Sequence, residues 1–175
     1  MKNLLKIILT SVIIFSLGKP LKAQNPPVAG AHYTNTTMTA FHGTWRWTSG
    51  TDTVKLYLTT ANVFYNINGG FSAERLVGWY YYKKGNNVIF SNYSSIPNTF
   101  ANARIAGNNS DESLNRVDGF YKDPIKDKSI KLSLVLYASQ NQLEWRSHII
   151  GLVYGNRPVP PAGMTLPQDM TFTRL

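Results

Sequence analysis

Few side chains in this 175-residue chain are of the types that catalysis uses. There is no cysteine, which removes thiol nucleophiles, disulfides and cysteine-ligated zinc. The three histidines are His32, His42 and His148. A zinc site needs three or four ligands converging on one point, and no spacing here sets two of these histidines on one face, so no metal site is expected. Of the nine acidic residues, Asp118, Asp123 and Asp127 fall in one turn-rich segment. They lack the every-second-position ligands of a calcium loop and read as a solvated loop. Glu74 and Glu144 could work as an acid–base pair only if the fold joined them. No serine sits in Gly-x-Ser-x-Gly, and Asn68-Gly69-Gly70 reads as a turn rather than a phosphate cradle. The expected class is therefore non-enzymatic, with no cofactor.

Aromatic residues are the surplus. Trp79, Tyr80, Tyr81 and Tyr82 are consecutive, so a strand here has aromatics on both faces. Val77, Trp79 and Tyr81 share one face; Leu76, Gly78, Tyr80 and Tyr82 share the other. One face must be core, and the other could stack sugars or meet a partner. Trp145, beside Leu143 on its face, reads as core or cavity wall.

The elements that would position these residues are strands. Val54-Lys55-Leu56-Tyr57-Leu58 and Ile130-Lys131-Leu132-Ser133-Leu134-Val135-Leu136 alternate with period two. Lys83-Lys84-Gly85-Asn86-Asn87 turns the aromatic strand into Val88-Ile89-Phe90-Ser91. A weaker strand over 114–121 is interrupted by Asp118-Gly119. The stretch 94–113 reads as a long loop with a short helical turn near Phe100, and 157–167 as a proline-rich excursion. No sustained helical repeat occurs. Short strands with regular turn signals predict an all-β sandwich or barrel.

Ahead of the strands, residues 1–23 show a basic start, an apolar run over 7–17 and a small residue, Ala23. That is the pattern of a secretory signal peptide cleaved after Ala23. The apolar run is short for a bilayer span, which takes ~20 residues. The expectation is a secreted or periplasmic protein with no integral membrane segment after cleavage. Residues 24–38 are expected as a flexible lead-in and 39–175 as one barrel domain. The formal charge of +9 overstates the basic character, because Lys2, Lys6, Lys19 and Lys22 leave with the leader. The lysines at 122, 126, 128 and 131 alternate with Asp123 and Asp127, so no nucleic-acid partner is expected.

Gly43-Thr44-Trp45 opens the first strong strand, and Met170-Thr171-Phe172-Thr173-Arg174 forms the last. If those strands are neighbours, Arg174 can lie across the Trp45 indole and close a barrel. In these residues the chain resembles the lipocalin and calycin superfamily, which carries Gly-x-Trp on its first strand and a late Arg or Lys over that Trp. With Phe41-His42-Gly43-Thr44-Trp45 and Leu76-Val77-Gly78-Trp79-Tyr80, it also resembles a family of secreted Bacteroidota proteins of unknown function. The resemblance implies a single antiparallel up-and-down calycin-like barrel of about eight to ten strands. It makes Gly43, Trp45 and Arg174 the structural closure. It also implies non-catalytic binding of a small apolar or amphipathic ligand inside. Trp45, Trp47, Trp79, Tyr81 and Trp145 would be the walls, and the 94–113 or 157–167 loop the lid. The alternative is a surface module that recognises glycan or protein through exposed aromatics, Tyr80 and Tyr82 among them, over a packed barrel.

Overall fold

The computed structural model describes residues 27–67, 69–96, 100–109, 114–149 and 161–175. The signal-peptide expectation, Asn68 of the first turn, and 157–160 of the proline-rich excursion lie outside them. The strands are β1 (His32–Tyr33), β2 (Gly43–Ser49), β3 (Asp52–Tyr65), β4 (Phe71–Lys84), β5 (Asn87–Ser91), β6 (Ile105–Asn109), β7 (Arg116–Asp123), β8 (Lys128–Leu136), β9 (Gln142–His148) and β10 (Asp169–Arg174).

Eight of them close a ring in the order β2-β3-β4-β6-β7-β8-β9-β10, every neighbour antiparallel, with β10 returning to β2. This is the expected up-and-down barrel. Period-two geometry sends alternate residues inward. Val54, Leu56 and Leu58 of β3, Ile130, Leu132, Leu134 and Leu136 of β8, and Leu143 and Trp145 of β9 are all buried in one core.

Two strands stand outside the ring. Both use the long β4, whose edge is shared: β6 pairs with Leu76–Gly78, and β5 pairs with Tyr81–Lys84. β1 pairs in parallel with Ser72 and Ala73. There β3 and β4 overhang the barrel, and Tyr65 stacks on Phe71 at 5.0 Å.

The sequence misleads in three places. The segment expected as a flexible lead-in is, where described, built into the fold. It carries β1 and a 3-10 helix, Thr36–Phe41, whose Met38 and Phe41 are buried against the barrel core. The 94–113 stretch expected as loop contains β6, the strand that completes the ring. The expected break at Asp118-Gly119 does not occur, and β7 runs through it. Gly119 is there because β6 passes so close: a Cβ on it would sit 2.1 Å from the Ala106 carbonyl oxygen and 2.5 Å from the Gly107 Cα.

Candidate functional site

The closure is built as its residues suggest. Arg174 and Trp45 are direct cross-strand partners, and the guanidinium carbon lies 4.2 Å from the centre of the Trp45 ring. Its nitrogens donate to the carbonyls of Ala40, His42 and Gln140. The Trp45 indole nitrogen donates to the Phe41 carbonyl at 2.9 Å. Gly43 has φ +119, and a Cβ there would stand 3.3 Å from an Arg174 nitrogen. Glycine tolerates that φ at no steric cost, so the position suits both the backbone and the arginine.

Inside, large buried side chains pack along the barrel. Tyr80, Tyr121, Trp145 and Phe172 form a ladder of tilted and edge-on rings with centroids 6.5, 5.1 and 6.3 Å apart, all at 0% exposure. Packing is close at two inward glycines. A Cβ on Gly78 would meet Leu58 at 2.6 Å, and one on Gly107 would meet Val117 at 2.7 Å. Burial drives the Tyr80 and Tyr121 hydroxyls to pKa values well above the usual phenol, helped by the nearby Asp123 carboxylate. They stay neutral at any physiological pH.

At one end of the barrel the chain from Pro161 to Gln168 folds over as a strap. Asp123, fully buried, receives hydrogen bonds from Thr165 N at 2.7 Å and Thr165 Oγ1 at 2.8 Å, and from the turn amides of Ile125 and Lys126. Lys128 donates to the Pro161 carbonyl at 2.6 Å, and Leu166 packs into the core. So Asp123, expected in a solvated loop, is an internal anchor.

The other acids are engaged elsewhere. Glu74 accepts from Asn35 N at 2.7 Å, and Glu144 pairs with Arg146 at 2.7 Å. Glu74 and Glu144 sit on β4 and β9, four strands apart either way around the ring, and the fold does not bring them together. Among the described residues no three metal-binding side chains cluster.

The proposed ligand walls divide. Trp45 and Trp145 are inward and buried, and Trp47 is half-buried against the core. Trp79 and Tyr81 are not inside. Register places Tyr80 opposite Leu56 and Tyr82 opposite Val54, whereas Trp79 faces Tyr57 and Tyr81 faces Lys55. The two faces of β4 are thus the reverse of the expectation: Tyr80 and Tyr82 are core, and Trp79 and Tyr81 belong to the outer wall.

That wall carries a cleft. Thr53 and Lys55 of β3, Tyr81 and Lys83 of β4, and Tyr93 from the segment after β5 surround about 350 Å³. The Lys55 ammonium stands 6.0 Å from the Tyr81 ring centre, and Thr53 is the register partner of Lys83. Burial pushes the Tyr93 hydroxyl up to about 12. Sequence reasoning missed Thr53, Lys55, Lys83 and Tyr93. The available signal was that Lys83 shares a strand face with Tyr81 and Lys55 one with Tyr57, but period two alone does not say that those faces point outward. A second cleft of about 350 Å³, lined by Trp47, Thr48, Glu144, Asp169, Met170 and Thr171, opens where β2 and β10 part beyond their two paired positions.

Among the described residues no helix is long and apolar enough to cross a membrane. No curated protein and no solved structure matches the chain. A family model matches residues 1–174, closing strand included; it describes a family of unknown function (DUF6705), to which this chain belongs.

Proposed function

We propose that the protein is a secreted, non-catalytic binding module that recognises a glycan on the outer wall of β3 and β4. The observation that carries this reading is the reversal of the β4 faces. The core takes Tyr80 and Tyr82, so Tyr81 is left on the outer face beside Tyr93 in a cleft large enough for a small ligand. Aromatic faces give sugar rings an apolar contact while their polar edges stay wet. Export rests on the pattern of residues 1–23, and N-terminal sequencing of the exported protein should begin at Gln24. The test is a panel of oligosaccharides against the protein and its Tyr81→Ala and Tyr93→Ala variants. Binding that weakens about tenfold in each, with the melting temperature of Tyr81→Ala unchanged and Tyr93→Ala still folded, supports the reading. Binding untouched by both substitutions would place the ligand elsewhere.

One observation favours the second reading, a small amphipathic ligand inside the barrel. The hydroxyls of Tyr80 and Tyr121 and the indole nitrogen of Trp145 are buried with no hydrogen-bond partner among the described residues. Buried donors of this kind are normally satisfied, so an occupant would have to bring acceptor atoms, and an all-hydrocarbon ligand is disfavoured. Native mass spectrometry of the protein from its own medium separates the two readings. A discrete added mass, retained in the Tyr81→Ala variant and lost on unfolding, would establish an internal ligand.

A further inference from the structure

The outer cleft carries a chemical bias. It holds two ammonium groups, Lys55 and Lys83, and among the described residues no carboxylate lines it. The register sets Lys55 directly opposite Tyr81 and Lys83 directly opposite Thr53, so the lysines lie diagonally on adjacent strands and flank the tyrosine. Among the described residues neither ammonium comes within ion-pair distance of a carboxylate, whereas Arg116, Lys122 and Arg146 each have one. Uncompensated lysines on neighbouring strands repel each other, most strongly when directly opposite and still within reach of long side chains on the diagonal. An anion that neutralises both would relieve that repulsion as it binds. We infer that the glycan recognised here is acidic, a ring-bearing saccharide whose carboxylate or sulfate lies between Lys55 and Lys83 while a sugar face packs on Tyr81.

This inference rests on the glycan reading above and narrows it. A single-stranded nucleic acid would also offer rings and anions. It needs a basic groove that tracks several phosphates, and this cleft is about 350 Å³ with two cations.

The experiment compares hexuronate oligomers, sulfated oligosaccharides and neutral oligosaccharides of equal length by calorimetry, with an oligonucleotide as competitor. It uses the protein and its Lys55→Met/Lys83→Met variant, with melting curves to show that the fold survives. The single variants Lys55→Gln and Lys83→Gln replace the double one if it does not. The expected result is binding to an acidic class that weakens at least tenfold in the variant and falls as salt rises. Whether uronate or sulfate binds better then identifies the anion. Equal binding of neutral sugars, indifferent to salt and to both lysines, would overturn the inference and leave glycan binding standing. Absence of binding to every saccharide would overturn both. Displacement of the sugar by the oligonucleotide at equal affinity would replace glycan recognition with general polyanion binding.

Discussion

Arg174 lies over Trp45, its guanidinium carbon 4.2 Å from the ring centre, and the two residues are partners across the seam where β10 meets β2. The arginine is stacked on one side and hydrogen-bonded to three carbonyls around its edge. One side chain therefore ties together the 3-10 helix, the start of β2 and the turn before β9.

Replacing Arg174 with Met keeps apolar contact with the indole but leaves those carbonyls without their donor. The expected loss is roughly 1–3 kcal/mol, read by chemical denaturation. Lysine should recover only part of it, because a single ammonium cannot reach three divergent acceptors and stack at once. An unchanged midpoint in Arg174→Met would show that the seam does not depend on the stack.

Gly119→Ala is expected to be worse than its one added methyl suggests. The new Cβ would meet backbone, the Ala106 carbonyl at 2.1 Å, rather than a side chain that can rotate away. The strands would have to part, at a cost of about 3 kcal/mol or more. A comparable substitution at Gly85, where the nearest atom is 3.9 Å away, tests turn conformation without that clash and serves as the contrast in a thermal melt.

Removing the Asp123 carboxylate strands the Thr165 amide and hydroxyl and two turn amides at once. Asp123→Ala should cost at least about 2 kcal/mol, since buried unmatched donors are each worth roughly 1–3. It should also speed hydrogen exchange at Thr165 more than at β3 amides. Uniform exchange throughout would mean that the strap does not hang on this carboxylate.

His42 predicts the acid side of the stability curve. Burial lowers its pKa from 6.5; Glu74 opposes this and Arg174 adds to it. A histidine whose folded pKa is depressed binds fewer protons folded than unfolded below about 6.5. Its neutral form therefore supports the fold above that pH, and the support drains away as pH falls towards the folded value. Melting temperature should decline below about pH 6.5, and less steeply in His42→Gln. Parallel pH profiles for the two proteins would remove His42 from the account.

The closure was legible because it needed only Gly43, Trp45 and Arg174, three residues of distinctive type on strands with clear alternation. The orientation of β4 was not legible. From Leu76 to Tyr82 both faces are apolar or aromatic, and period two separates the faces without saying which is inside. Pairing with Leu56 and Val54 decides it. β6 was hidden for another reason. Ile105-Ala106-Gly107-Asn108-Asn109 has poor strand composition, and it is held by neighbours on both edges. Asp123 looked solvated because its partner, Thr165, is 42 positions away. The cleft on the outer wall inherits the β4 ambiguity: until Tyr81 is known to point outward, Lys55 and Lys83 are ordinary surface charges.

The bonds from Arg174 to His42 and Ala40 span 132 and 134 positions of chain. Contacts so distant along the chain form late, because the entropy of closing a loop must be met before they contribute. A ribosome must release nearly the whole sequence before the seam can zip. During synthesis the polypeptide would then remain an open meander, and it would become a barrel only after β10 arrives.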